Sequence, residues 1–199
     1  FGYTVFEHTC QGISHTLTQF VPDKDTLKIS LLVLKNETNE RRRLGATYYT
    51  RPVLGVSDQT TAMHIQTSQN ESGALLMQNP YNEDFPGRIC YLDCSVTERT
   101  VTGDRKEFFG AGGQRSPDCL SRIHLSGELG VGLDPCGAMR IDLDLHPGEE
   151  RTIVFLLGIA DNAGESSCMC AKFLVEQRAQ EALQTVFDGW DAALCRVRV

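Results

Sequence analysis

Residues Thr102–Arg115, T-G-D-R-K-E-F-F-G-A-G-G-Q-R, hold the densest group of side chains that could recognise a ligand. Arg105, Gln114 and Arg115 supply hydrogen-bond donors beside two phenylalanines and four glycines. Planar polar groups next to aromatic rings suit a saccharide, and glycines let the backbone approach a ligand. The alternative interpretation is a surface hairpin in which Arg and Asp side chains of the stretch pair with each other.

The sequence does not contain a recognisable set of catalytic residues. It lacks G-x-S-x-G and H-E-x-x-H, and Gly110–Gly113 is not followed by the Lys-Ser/Thr of a phosphate loop. Glycoside chemistry needs a carboxyl group with a raised pKa in a pocket, and no carboxyl group stands out. The histidines are scattered and are expected to be structural or surface residues: His8, His15, His64, His124 and His146. We therefore assign no catalytic residue.

The eight cysteines predict reduced and mostly buried thiols rather than a disulfide framework or a metal centre. Cys90 and Cys94 lie on one face of a predicted strand, and Cys168 and Cys170 lie near a helix start. Neither spacing matches a zinc site, and no histidine pair flanks them. We expect no metal site and no cofactor.

Composition excludes several functional classes. The net charge of −7 argues against nucleic acid and anionic lipid, because both need a basic face. Arg41–Arg43 is the main basic cluster and is interpreted as a solvated turn between strands. No apolar run approaches the roughly 18 residues of a transmembrane helix.

The elements that would position these residues are predominantly strands. Met139–His146 alternates strictly between apolar and polar residues, which predicts a strand with one wet face. Pro147-Gly148 turns the chain into the more apolar Arg151–Ile159, so the two form a hairpin. Phe1–Cys10 and Ile13–Val21 predict a second hairpin. About ten short strands with regular turn signals predict two packed antiparallel sheets.

After Asp161 the pattern becomes helical. Asn162, with Glu165 three residues later, resembles a capping box. Apolar residues then recur every three to four positions, which predicts an amphipathic helix or a broken pair of helices, with Trp190 as a core anchor. We therefore divide the chain into a β-sandwich domain, residues 1–160, and a helical linker, residues 161–199.

Several segments, taken in order, carry a family resemblance. They include G-Y-T-V-F-E-H-T at Gly2–Thr9, G-A-L-L-M-Q-N-P-Y-N-E-D-F-P-G-R at Gly73–Arg88, T-G-D-R-K-E-F-F-G at Thr102–Gly110 and L-H-P-G-E-E-R-T-I-V-F-L-L-G at Leu145–Gly158. The chain resembles the β-sandwich part of the phosphorylase-like region of cyclic β-1,2-glucan synthases. These enzymes are relatives of cellobiose and chitobiose phosphorylases, in glycoside hydrolase family 94.

The resemblance implies an antiparallel super-sandwich, similar to the galactose mutarotase fold, followed by linker helices. In the family these helices lead to an (α/α)6 barrel that carries the catalytic aspartate and binds phosphate as co-substrate. The family pattern enters that barrel near Arg196–Val199, so we expect a fragment of a longer protein, inactive by itself. The implied partners are a glucan or oligosaccharide, the C-terminal barrel and a second copy in a homodimer, with no nucleic acid.

The resemblance also selects site residues. The segment from Asp104-Arg105 to Gln114-Arg115 matches a family loop that reaches the sugar site, so Arg105, Gln114 and Arg115 become the candidate sugar-contacting residues. The reduced thiols predict a cytoplasmic protein, and attachment of the parent enzyme to the inner membrane is left open. Two alternatives stay open: a free-standing carbohydrate-binding module, and a mutarotase-like epimerase, which would require a converging Glu and His.

Overall fold

The computed structural model describes residues 1–195; Arg196–Val199, where we expect the barrel to begin, lie outside them. The described chain is mainly β, with helices near its C-terminal end. The strands are β1 (Tyr3–Cys10), β2 (Ile13–Phe20), β3 (Leu27–Asn36), β4 (Arg42–Thr50), β5 (Gln66–Gln69), β6 (Leu75–Gln78), β7 (Ile89–Cys94), β8 (Arg99–Asp104), β9 (Pro135–Leu145) and β10 (Glu150–Ala160). The helices are α1 (Asp58–Thr61), α2 (Arg105–Phe109), α3 (Ala163–Phe173) and α4 (Glu176–Leu194).

The strands form two sheets with antiparallel pairing throughout the described registers. The large sheet has seven strands in the order β1-β2-β3-β10-β7-β6-β5, and the small sheet has three in the order β4-β9-β8. The hairpin predicted from Phe1–Cys10 and Ile13–Val21 is confirmed, because β1 pairs with β2 from Tyr3↔Phe20 to Cys10↔Ile13. The prediction that β9 and β10 form a hairpin was wrong, because β9 pairs with β4 and β8 in the small sheet while β10 pairs with β3 and β7 in the large sheet.

The main core lies between the two sheets. The odd-numbered residues of β9 that alternation predicted to be apolar, Met139, Ile141, Leu143 and Leu145, are all at most 4% exposed. They meet inward residues of the large sheet such as Ile153 and Phe155. Cys90 and Cys94 belong to the same cluster, as their predicted common face requires. A side chain that is buried this completely contributes about 1.5–3 kcal/mol.

Helices α3 and α4 cover the other face of the large sheet, so the predicted broken helix pair is confirmed. Asn162 caps α3 by accepting a hydrogen bond from the Glu165 amide at 2.9 Å, and Glu165 accepts one from the Asp161 amide at 2.7 Å. The buried side chains of α4 are Ala179 and Val186. Trp190 is 45% exposed, so its prediction as a core anchor was wrong.

Residues between β8 and β9 cover the outer face of the small sheet. The even-numbered β9 residues Cys136 and Ala138 are small and fully buried on this face, which allows a close approach by the covering segment. Phe108 and Leu125 of that segment pack against them in a third apolar cluster. The sandwich therefore supports the stretch Thr102–Arg115 on its outer surface.

One charged pair is buried at the β7–β8 turn. Asp93 Oδ1 lies 2.7 Å from Arg99 Nη2, and the two side chains are 1% and 7% exposed. Arg99 also donates to the backbone carbonyls of Ser72, Gly73 and Val96. Because both charges are paired and hydrogen-bonded, the interior tolerates them.

All eight cysteines are free thiols. Five of them are buried, and burial raises the pKa of Cys90 and Cys136 to about 12 in each case. These thiols are protonated at neutral pH and behave as small apolar side chains.

Candidate functional site

Residues 105–115 of the stretch Thr102–Arg115 form a compact structure that we call the rim. Asp104 ends β8 and caps α2, because its Oδ1 accepts a hydrogen bond from the Lys106 amide at 3.0 Å. Helix α2 ends at Gly110, and a 3-10 segment runs from Gly110 to Arg115. The alternative prediction of a surface hairpin was therefore wrong.

Arg105 pairs with a residue outside the stretch, not with Asp104. Its Nε and Nη2 lie 2.9 and 2.8 Å from Oδ2 of Asp134, immediately before β9. The hydrogen bond with this carboxylate raises the pKa of Arg105 above its usual value. The guanidinium group is therefore charged, and its two contacts with Asp134 fix its orientation.

The structure brings Arg105 and Gln114 together and leaves Arg115 apart. A cleft of about 310 Å³ is lined by Arg105, Lys106, Phe109, Gly110, Gly113, Gln114 and Asp134. This volume is near the lower limit of the roughly 300–1,000 Å³ range of ligand pockets. Arg115 is exposed and lies beyond the lining of this cleft.

Aromatic side chains form the floor beneath the rim. The Tyr49 ring stacks on Phe108, with 4.6 Å between ring centroids, and meets the edge of Phe109 at 5.2 Å. Burial, with a further effect of Cys136, raises the pKa of Tyr49 to about 12. The phenol is therefore a neutral hydrogen-bond group at physiological pH, close to the charged residues of the site.

Two further carboxylates fix the segment. Glu107, whose side chain is 9% exposed, accepts hydrogen bonds from the Thr102 hydroxyl and from the amide and hydroxyl of Ser126, the latter two at 3.0 and 2.6 Å. Burial alone would raise the pKa of Glu107, but the hydrogen bonds from Ser126 and Thr102 outweigh it and lower the pKa. The carboxylate of Asp118 accepts from the amides of Ala111 and Gly112 at 3.0 and 3.2 Å.

A second cavity holds titratable groups that the sequence did not connect. Glu98, His124 and Asp142 line a space of about 280 Å³ on the outer face of the small sheet. Arg140 donates to Asp142 Oδ1 at 3.1 Å, and Arg43 and Arg99 share the lining. Glu98 and His124 are both exposed and line this one cavity, although 25 residues separate them in sequence.

Within the described chain, residues 1–195, no group of three or more His, Cys, Asp or Glu side chains has the arrangement of a metal site. No helix in this range combines the length and apolar character needed to span a bilayer.

The chain belongs to a known family of carbohydrate-active enzyme domains. Residues 1–175 match the family described as "Glycosyl hydrolase 94, supersandwich domain". The resemblance and the predicted fold class, an antiparallel super-sandwich followed by helices, are therefore confirmed.

The individual relatives are much longer than this chain, which matches only a part of each of them. The chain is 33% identical over 168 residues to the cyclic beta-(1,2)-glucan synthase NdvB of Rhizobium meliloti (strain 1021), covering 81% of this chain and 6% of that protein. It is 24% identical over 205 residues to the N,N'-diacetylchitobiose phosphorylase of Vibrio furnissii, covering 100% of this chain and 25% of the relative. Among solved structures, a putative kojibiose phosphorylase from human microbiome matches with a TM-score of 0.44, 8% identity and coverage of 94% of this chain and 20% of that one.

Sequence reasoning missed the residues that hold the rim from outside it. Asp134 lies 29 positions from Arg105, and its only local signal is its place before Pro135 at the start of a strand. Arg51, which follows β4, and Asp58, the first residue of α1, had no signal at all. Strand β4 ends at Thr50 before this segment, because Pro52 cannot donate to a ladder and Leu54 adopts φ +44°.

Proposed function

We propose that this chain is a non-catalytic β-sandwich domain of a larger carbohydrate-active enzyme, a cyclic β-1,2-glucan synthase or an inverting glycoside phosphorylase. The observation that carries the proposal is the family membership of residues 1–175, together with relatives several times longer than this chain. In this role the rim frames the glucan site, while the barrel of the same parent chain supplies the catalytic carboxylate and binds the phosphate co-substrate.

The rim supports this role by its chemistry. Arg105 and Gln114 present donors and acceptors at one cleft, beside the Phe109 ring. Sugar hydroxyl groups pair with such donors, and the apolar face of a sugar ring packs on an aromatic ring. Arg115, exposed next to the cleft, is the third candidate contact and would reach a sugar beyond it.

The proposed lack of catalysis is tested on the chain itself. Incubation with a β-1,2-glucan and phosphate is expected to release no sugar phosphate, because the catalytic aspartate belongs to the proposed barrel. The longer enzyme that contains this domain should release it under the same conditions. Steady release by residues 1–199 alone would contradict the proposal.

The domain would also support dimerisation of the parent enzyme. Every residue of the edge strand β1 is exposed, and Phe6 is 54% exposed. An exposed apolar edge strand is a ready surface for pairing with another chain. In sedimentation equilibrium, the longer enzyme should be a dimer that Phe6→Glu weakens; a monomeric wild type would refute this part.

A free-standing carbohydrate-binding module is the alternative within the same ligand class. It predicts measurable affinity of the isolated chain for β-1,2-gluco-oligosaccharides in titration calorimetry, whereas we expect weak binding or none.

Epimerase chemistry is a second candidate function, favoured by the cavity that Glu98 and His124 share. We expect the chain not to accelerate the mutarotation of fresh α-glucose in polarimetry. A rate increase that Glu98→Gln or His124→Asn abolishes would establish the epimerase instead.

A further inference from the structure

The carboxylate of Asp134 lies between two guanidinium groups from different parts of the chain. Its Oδ2 accepts from Nε and Nη2 of Arg105, and its Oδ1 lies 3.9 Å from Nη2 of Arg51. The Asp134 side chain is only 20% exposed. Asp134 therefore interacts with arginines that follow β8 on one side and β4 on the other.

Arg51 is itself fixed on its far side. Its Nε lies 2.9 Å from Oδ1 of Asp58, and its Nη2 lies 2.5 Å from Oδ2 of the same carboxylate. This two-point contact matches the planar fork of a guanidinium group and sets its orientation. The four side chains form an alternating row, Asp58–Arg51–Asp134–Arg105, whose formal charges cancel.

Asp134 holds Arg105 at the backbone as well as at the side chain. The Arg105 amide donates to the Asp134 carbonyl oxygen at 2.7 Å, so both ends of the arginine are tied to one residue. The side-chain contacts use Nε and Nη2, and among the residues that the structure describes Nη1 has no partner in the protein. Arg105 is therefore pre-positioned with its remaining donors available to the cleft.

We infer that Asp134 is a positioning residue of the saccharide site, acting through Arg105, an inference that rests on the proposed function of the rim. The row of balanced charges fits an uncharged, hydroxyl-rich ligand, since it offers donors without a net attraction for anions. Pre-positioning reduces the ordering cost that a flexible arginine would otherwise impose on binding. Asp134 also lines the cleft, but the role inferred here is exerted on a ligand through Arg105.

The first test examines positioning in the 199-residue chain, independently of any activity. NMR of the arginine Nε–H groups should show slow solvent exchange at Arg105, and Asp134→Asn should accelerate it at least about tenfold, as expected for loss of a charge-assisted hydrogen bond. Asp144→Asn is the matched control, because Asp144 also belongs to the β9 region but pairs with the exposed Arg41 at 2.9 Å. Unchanged exchange at Arg105 in a folded Asp134→Asn variant would overturn the inference.

The second test is a double-mutant cycle in the longer enzyme. Asp134→Asn should raise KM for a β-1,2-gluco-oligosaccharide about tenfold with little change in kcat, and it should add nothing once Arg105→Ala is present. An equal loss in both backgrounds would mean a structural role and would refute the inference. If Asp134→Asn impairs folding, Arg105→Lys is measured instead, because lysine keeps the positive charge but lacks the planar donor fork of arginine. An unchanged KM in Arg105→Lys would contradict the inference.

The two tests separate the inference from the function on which it rests. If the wild-type enzyme does not act on the glucan, the proposed function fails, while the exchange measurement still decides whether Asp134 positions Arg105. If the enzyme acts on the glucan and the cycle shows no coupling, the inference fails and the proposed function stands.

Discussion

The core between the sheets and the rim are stabilised in different ways. Met139 and Ile153 are fully buried and held by apolar contacts that need no particular orientation. The rim lies at the surface, and its backbone and side chains are fixed by directed hydrogen bonds to four carboxylates: Asp104, Glu107, Asp118 and Asp134. The core therefore determines stability, whereas the rim determines the placement of a few donors.

The largest expected effect is on the buried ion pair that joins β7 of the large sheet to β8 of the small sheet. Replacing Arg99 by Met removes the cation that stabilises the Asp93 carboxylate, whose pKa burial already raises, so the free energy of unfolding should fall by about 3–5 kcal/mol. Chemical denaturation measures this directly. The matched control is Arg41→Met, whose pair with Asp144 is exposed and should contribute at most about 1 kcal/mol. Equal losses in the two variants would mean that burial does not distinguish these pairs.

A smaller effect is expected from glycines within the rim. Gly110 and Gly113 have φ of +53° and +62°, with ψ near the extended region, a conformation that is essentially restricted to glycine. Alanine at either position should cost about 1–3 kcal/mol. At Gly110 a Cβ would also clash with Oδ2 of Asp118, whereas at Gly113 it would meet no atom within 4 Å.

Gly110→Ala should therefore destabilise the protein more than Gly113→Ala, and only Gly110→Ala should displace Asp118 from the amides of Ala111 and Gly112. Thermal unfolding and amide chemical shifts measure the two effects. If the two variants behaved alike, the contact between Gly110 and Asp118 would not contribute to the rim.

The pH dependence of the rim should follow Glu107. Its pKa is lowered in the folded state, so the stability it contributes is fully present above its ordinary value of 4.5 and is lost as the pH falls through the folded pKa. Hydrogen exchange of the Ser126 amide should accelerate on acidification through this range, while amides of β9 stay protected. Glu107→Gln should remove this pH dependence, and its persistence in that variant would assign it to another group.

The smallest effect is expected at the exposed end of β9. Asp144→Asn removes a pair in which the side chains of Arg41 and Asp144 are 61% and 48% exposed, so the melting temperature should hardly change. A loss comparable with that of Arg99→Met would contradict the distinction between core and surface.

The core between the sheets could be predicted from the sequence, whereas the contacts of the rim could not. Burial of alternate residues in β9 and the capping of α3 by Asn162 follow from local spacing, so the sequence predicts them. The site depends on contacts such as Arg105–Asp134, which join residues distant in sequence. Local patterns do not encode such pairs, and for the same reason the cavity that Glu98 and His124 share was missed.

Hydrogen–deuterium exchange of the longer enzyme, with and without a saturating β-1,2-gluco-oligosaccharide, tests the central claim most directly. The account predicts slower exchange in residues 105–115 and no change in β9 and β10. Unchanged exchange throughout the rim, with protection elsewhere on the sandwich, would contradict it.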